Sequence, residues 1–318
     1  MHERIMAVPL IRTSGFPPAE RRTLQRRVHR GELVAIRPGV LTEPGAVTDL
    51  PPVERHLLLV RASAPKIVPP VRIADRSAAA AHGLPFIGPP PDRVEVRDPR
   101  RTRTETTAHL RVRGGRTSDP GRRWSGTPPF EPTAFAGAHV EALAPVLVDL
   151  AASEPLLISL PMIDAALHDR RVLPEMLLDE LAASERKGHA KAAVALELGS
   201  AGSGSPAESV CRVRFRQLGL PGPVQQHRFA RAGHRVAVVD FWFPDQGIVV
   251  EVDGRAKYRD PAMLAGRTTA DAHWQEKLRE DFVRSFPEVR TVVRVTWAEL
   301  MDPEHLRASL RRAGLPCR

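Results

Sequence analysis

The chain has 318 residues, 42% of them apolar, with a formal charge of +10 and a pI near 10.7. That length exceeds one ordinary hydrophobic core and predicts two or three compact units, and the arginine-rich excess of charge favours a polyanionic partner, because guanidinium pairs bidentately with phosphate. Two cysteines, Cys211 and Cys317, exclude a disulfide framework and a thiolate metal cage. The most apolar stretch, 144–167, is broken by Asp149, Glu154, Pro155, Pro161 and Asp164, so a soluble, cytoplasmic protein with no membrane partner is expected.

In chain order, Pro18 opens a helix on which Leu24 and Val28 share a face, and Gly31 stops it after Arg30. Leu33, Ala35 and Val40 then alternate around Arg37-Pro38-Gly39, the pattern of a tight hairpin. A helix followed by a hairpin is the closing half of a winged helix-turn-helix. Its helix carries Arg21, Arg22, Arg26, Arg27 and Arg30, either as phosphate contacts or as a solvated basic face. Through Arg-Gly-Glu-Leu-Val (30–34) and Arg-Pro-Gly-Val-Leu (37–41) this segment resembles the winged-helix domain of AbiEi-family antitoxins of type IV toxin–antitoxin systems. The resemblance implies that residues 1–50 bind DNA, although only Met1 to Phe16 stand where such domains have one or two further helices.

Residues 51–198 read as a connecting α/β domain without assignable chemistry. The pattern predicts a helix near 77–82, strands near 93–97 and 109–113, helices near 140–152 and 158–168, and one long helix through 177–198. Arg100, Arg101 and Arg103 read as a solvated loop, and His82 and His168 lack metal-like spacing. The Gly/Ser-rich run 199–205 reads as a flexible tether, after which a new unit occupies 206–318.

Ser205, Pro206 and Glu208 make a capping box with proline at the first helical position, so Glu208 has a structural explanation before any chemical one. Two strands, 236–243 and 248–254, flank Pro-Asp-Gln-Gly (244–247). With Asp245 and Gln246 as the loop residues, Asp240 faces Glu251, while Val239 faces Val252, Phe241 faces Val250 and Phe243 faces Ile248 on an apolar face. Asp253, two residues after Glu251, joins the acidic face. Opposed like charges are destabilising, so proton sharing, a lysine or arginine, or a hard divalent cation must offset them, and nearby Lys257 and a later Lys277 make ion pairing possible.

Around these acids, Ser-Pro-Ala-Glu-Ser (205–209), Gly-Leu-Pro (219–221), Val-Asp-Phe (239–241), Glu-Val-Asp-Gly-Arg-Ala-Lys-Tyr (251–258), Glu-Lys-Leu-Arg-Glu (276–280) and Val-Arg-Val-Thr-Trp (293–297) resemble the DUF559 branch of the PD-(D/E)XK nuclease superfamily, akin to very-short-patch repair endonucleases. The resemblance covers Ser205 to about Arg312. It implies an αβββαβ core within a multi-domain α+β or α/β chain, and a Mg²⁺- or Mn²⁺-dependent endonuclease acting on DNA.

It further implies that Asp240 is the metal aspartate, Glu251 the second acid and Glu208 an accessory glutamate, with Asp253 on the ion or a nearby water. Asp253 stands where the superfamily has a lysine. Lys257 or, by slight preference, Lys277 would replace that lysine, with Arg279 able to offset phosphorane charge. The alternative is a silent nuclease fold in a DNA-binding regulator or antitoxin-like protein. Trp274 and Trp297 read as core residues, and a protein partner or homodimer is left open.

Overall fold

The computed structural model describes residues 1–115, 134–183, 187–231, 233, 236–253 and 269–318, without the side chains of 269–273 and 276. It is a multi-domain mixed α/β architecture with open sheets, divided into two units, Met1–Gly199 and Ser200–Arg318. Among the described residues, no helix is long and apolar enough to cross a membrane.

The first unit begins with α1 (His2–Ala7), β1 (Ile11–Arg12), α2 (Pro18–His29), β2 (Val34–Arg37) and β3 (Val40–Thr42). The strands form an antiparallel sheet in the order β1-β3-β2, pairing Ile11 with Leu41 and Val34 with Thr42. Gly39, at φ +83°, makes the reversal between β2 and β3 that other residues rarely adopt. Leu24, Leu33 and Leu41 form a small core here, with Ile11, Phe16 and Val28 around it.

The structure draws no boundary near residue 50. Ile5, Val8 and Leu50 belong to the same core as Leu57, Ile73 and Leu147. The helix α3 (Pro52–Ser63) is fastened to the preceding segment through polar atoms as well. Arg37 Nε and Arg12 Nη1 both donate to the Ala62 carbonyl at 3.0 Å, and Arg61 Nη1 donates to the Ile5 carbonyl at 2.9 Å.

There follow β4 (Arg72–Ile73), α4 (Asp75–Ala81), β5 (Val94–Asp98), β6 (Glu105–Thr106), β7 (Leu110–Gly114), and a short pair β8 (Ala134–Phe135) and β9 (Ala138–His139). A second sheet has the order β4-β5-β7-β6, with β5 and β7 parallel. The helices α5 (Leu143–Ser153), α6 (Leu156–His168), α7 (Pro174–Ala182) and α8 (His189–Glu197) close the unit, α5 packing on the other three and on α4. The single helix expected over 177–198 is two helices. Gly188, at φ +85°, lies so close to α5 that a Cβ would stand 2.4 Å from the Ala152 oxygen; only glycine fits that approach, and the chain cannot stay helical through it.

The second unit runs α9 (Pro206–Gln217), β10 (Val224–Ala230), β11 (Val236–Phe243), β12 (Ile248–Val252), α10 (Thr269–Arg284), β13 (Thr291–Val295), α11 (Trp297–Met301) and α12 (Pro303–Ala313). Its sheet order is β10-β11-β12-β13, antiparallel except for the parallel pair β12 and β13. The parallel return is possible because α10 lies in the crossover. The hairpin register is the one the sequence predicts: Phe241 pairs with Val250, Trp242 with Val249 and Phe243 with Ile248.

Helices cover both faces of this sheet. Phe215 of α9 meets Phe241 and Phe243 edge-on at 5.1 and 5.3 Å, whereas Trp242 and Val249 share a core with Val283 and Phe286 of α10. Near its turn the hairpin is therefore apolar on two faces rather than one. The Gly/Ser run is tied down from Ser200 onward. Ser200 Oγ donates to Gln225 at 2.7 Å, and Ser203, 3% exposed, takes bonds from Gln225 Nε2 and Arg212 Nη1.

Candidate functional site

Glu208 enters the second unit's site as a helix cap. Ser205 Oγ accepts from the Glu208 amide at 3.3 Å, and Glu208 Oε1 takes a bond from that hydroxyl at 2.8 Å. Its Oε2 accepts from the Gly204 amide at 2.9 Å and from Gln226 Nε2 at 3.1 Å. The capping box predicted from sequence is thus present, with the glutamate reaching one residue earlier than the cap itself, and it extends to a strand.

Gln226 sits opposite Asp240, where the β10–β11 ladder skips a pair between Gln225–Phe241 and His227–Val239. Its φ is +50°, a conformation uncommon for a residue with a Cβ, costing about 1–3 kcal/mol. This irregularity points the Gln226 amide at Glu208 and lets Asp240 depart from strict alternation. Asp240 Oδ2 accepts the Val252 amide at 2.8 Å, bringing its carboxylate to the residue after Glu251. Cys211 of α9, fully buried, confirms the neighbourhood electrostatically: burial first, then Asp240 and Glu208, push its thiol well above the usual range. Glu208, Cys211, Gln226 and Asp240 therefore converge.

Glu251 is engaged differently. It does not pair with Asp240 in the ladder; it lies beside Arg294 of β13, and its carboxylate is clasped by Arg279 of α10. Arg279 Nη2 reaches both oxygens at 2.8 and 2.9 Å, and Nη1 reaches Oε1 at 3.0 Å. The charge offset expected for the acids is met by arginine at this position. Asp253 continues past β12 with its amide on the Val295 carbonyl at 2.8 Å.

The α10 cation that reaches Glu251 is Arg279, while Lys277, slightly preferred as the stand-in for the superfamily's lysine, is not brought to it. Two residues on an α-helix subtend about 200°, so Lys277 lies on nearly the opposite side of α10. It is exposed, with its amine 6.0 Å from the Trp274 ring centre. Lys257 lies outside the described residues. Trp274 and Trp297 are 58% and 43% exposed, which corrects their reading as core: the α10 core positions are taken by Val283 and Phe286.

Among the described residues, no three His, Cys, Asp or Glu side chains form a ready-made metal cage. Mg²⁺ does not require one, because it keeps several waters and uses one or two carboxylates with substrate phosphates. Asp240, which accepts from the Val252 amide, and Glu251, on the adjoining strand, offer that hard-oxygen chemistry. As carboxylates, Asp240 and Glu251 are of the chemical type such an ion takes, although Glu251 is held here by Arg279.

In the first unit, α2 presents a second candidate. With Leu24 and Val28 turned to the small core, Arg22, Gln25, Arg26, His29 and Arg30 fall on the outward face and, with Ala19, line an open hollow of about 760 Å³. Arg21 and Arg27 flank this face, bound to the Phe16 carbonyl at 2.7 Å and to Glu32 at 3.2 Å, while on the stripe Arg26 bonds to Thr23 at 3.0 Å and Arg30 lies 3.8 Å from Glu32. Three of the five arginines named from the sequence thus share one exposed stripe. The loop arginines Arg100 and Arg101 bond to Asp98, whose carboxyl Arg100 holds down at about 2.

Sequence reasoning missed a buried ionic network. Arg97 reaches Glu141 at 2.8 Å, Asp149 at 2.7 Å and Asp75 at 3.3 Å, and Arg113 reaches Asp75 at 3.1 Å. Burial pushes Glu141 up to about 8 against the pull of Arg97. The available signal was Glu95-Val96-Arg97-Asp98, a strand carrying charge at three of four positions.

No family model and no curated protein matches the chain. A solved structure, the RV2827C protein from Mycobacterium tuberculosis, has 18% sequence identity and a TM-score of 0.37, covering 64% of this chain and 74% of that one. A likeness of that size assigns neither fold nor function.

Proposed function

We propose that the chain is a Mg²⁺-dependent DNA endonuclease. In this reading the second unit is a PD-(D/E)XK-type core and the N-terminal segment a winged-helix-like module that holds DNA. The observation that carries it is Glu208 hydrogen-bonded to Gln226, the residue opposite Asp240, with Asp240 accepting from the Val252 amide of the strand that bears Glu251, in a chain ordered α9-β10-β11-β12-α10-β13. The three-stranded sheet whose β2–β3 hairpin follows α2 supports the DNA-holding half, and the stripe Arg22, Gln25, Arg26, His29 and Arg30 has the residue types that contact phosphates and base edges.

When bound, the ion supplies a water of lowered pKa and polarises a phosphoryl oxygen. The chain's own residues do the rest. Asp240 and Glu251 would hold the ion, Glu208 fixes Gln226 and the start of α9, and Arg279 would offset charge at phosphorus.

A second reading, a DNA-binding regulator or antitoxin-like protein with a silent nuclease fold, is favoured by one observation: both Glu251 oxygens are taken by Arg279 while Asp253 occupies the lysine position. The test is incubation of the full chain with plasmid, linear and single-stranded DNA and Mg²⁺ or Mn²⁺, against Asp240→Asn. Cleavage by the wild type alone supports the nuclease. DNA retention without cleavage under every condition supports the regulator, and equal cleavage by both proteins removes Asp240 from the chemistry.

A further inference from the structure

Arg12 of β1 and Arg37 of β2 stand on either side of Val40, one on each strand flanking β3. Both turn to the C-terminal end of α3 and share one oxygen there, the Ala62 carbonyl, so their guanidiniums lie side by side. Arg61, the residue before Ala62, donates to the Ile5 and Val8 carbonyls at the end of α1. Burial, then the charge of Arg12, lowers the pKa of both Arg37 and Arg61, and burial, then Arg37 and Lys66, lowers that of His109. Five basic groups are thus neighbours in turn. Among the described residues, no carboxylate pairs with any of them. The carbonyls satisfy hydrogen bonds and carry no net charge, so the mutual repulsion of the cations is left unbalanced. Both ring nitrogens of His109 are also buried without a hydrogen-bond partner, a state that calls for a ligand or a water.

We propose that Arg12, Arg37, Arg61, Lys66 and His109 form a binding site for a phosphate group, carried either by DNA or by a small free phosphate. Guanidinium forks match phosphate oxygens and keep their charge at every working pH. Arg37 spends Nε and Nη1 on the Ala62 and Pro38 carbonyls, and Arg61 spends Nη1, so Nη2 of each is uncommitted. Their backbone anchors hold them in place beforehand, which reduces the side-chain freedom lost on binding. Lys66 ends the short turn after α3, is exposed, and adds a point charge. Helix capping alone accounts for the three arginines, because cations are favourable at helix C-termini. It gives no partner to Lys66 or His109, which a phosphate does. None of the five residues belongs to the α2 stripe or to the second unit, so binding here does not depend on cleavage of DNA.

The experiment titrates the full chain with inorganic phosphate at fixed ionic strength. Calorimetry gives the affinity, and the His109 imidazole resonance, assigned against His109→Gln, reports the place. A second arm uses a short DNA duplex in place of phosphate. The wild type is expected to bind phosphate saturably with a shift at His109. Arg37→Gln, which removes a charge-assisted bond, should weaken phosphate binding about 10- to 100-fold. Lys66→Ala should weaken it about 2- to 5-fold, and because its side chain is exposed it carries the test if Arg37→Gln does not fold. A duplex that moves His109 and is displaced by inorganic phosphate identifies the group as a DNA phosphate; a shift with inorganic phosphate alone identifies a small free one. A His109 resonance unmoved by both probes, or a phosphate affinity unchanged in both variants, overturns the site, leaves the arginines as helix caps, and does not touch the nuclease reading.

Discussion

The bond from the Val252 amide to Asp240 Oδ2, 2.8 Å long and partly buried, gives Asp240 a structural task that can be separated from any chemical one. In Asp240→Ala the amide loses its acceptor, and leaving such a donor unsatisfied costs about 1–3 kcal/mol. Asp240→Asn keeps an oxygen at nearly the same place and should cost well under that. If opening at Val252 is local, its amide hydrogen exchange should accelerate about 5- to 150-fold in the alanine variant and change by less than about threefold in the asparagine variant. Exchange at the Val250 amide, in the middle of the ladder, provides the control. Cleavage, in the nuclease reading, is lost in both variants, because asparagine cannot supply the negative charge that holds a cation. Unchanged protection of Val252 in Asp240→Ala refutes the energetic reasoning; an active Asp240→Asn refutes the chemical part while sparing the structural one.

Gly188→Ala combines a left-handed backbone with a Cβ 2.4 Å from the Ala152 oxygen, so it should destabilise the first unit by about 2–5 kcal/mol in urea denaturation, a loss under about 0.5 kcal/mol contradicting the packing. Replacing both Arg22 and Arg26 by alanine should flatten the dependence of log Kobs for duplex DNA on log salt by about 1.8, at about 0.9 per lost phosphate contact, whereas replacing Arg21 and Arg27 should flatten it less; identical slopes for the two pairs count against the stripe. Glu141 has a folded pKa raised to about 8 from an ordinary 4.5, so its contribution is fully present below 4.5 and is lost as pH rises through 8. Glu141→Gln should remove that decline, seen as a smaller drop in urea stability between about pH 5 and pH 8 than in the wild type, and parallel profiles would exclude the assignment.

The sequence was most legible where local rules coincide. The bounds of β11, the Ser205 cap and the hairpin register follow from alternation, a Ser-Pro start and a four-residue turn, each decided by neighbours within the segment. The acidic site was legible only in part, because alternation assumes an unbroken strand. The left-handed Gln226 and the skipped pair at Asp240 break it, and nothing in the residues around Asp240 announces a bulge in the opposite strand. The partner of Glu251 was misread for a related reason. A helix packed on the sheet can aim a long side chain inward, which favours Lys277 over Lys257, but the helical phase, fixed by packing of Val283 and Phe286 on the sheet, turns Arg279 rather than Lys277 toward Glu251. The helix over 177–198 failed on a tertiary contact, the approach of Gly188 to α5, which no periodicity within the segment reveals.

The replacement of an expected lysine by Asp253, with an arginine supplied from a helix, narrows what separates the two functional readings. A lysine next to the second acid sits on the strand itself and stays beside the metal ligands whatever else is bound. Arg279 is delivered from α10, where its reach is set by side-chain rotamers, and it forms a fork that binds carboxylate and phosphate equally well in geometry. Placing Asp253 at that position adds a negative charge where the resemblance expects a positive one. The active and the silent readings share the described residues of the site, so cleavage by the wild type and not by Asp240→Asn, rather than any further feature of the fold, is what separates them.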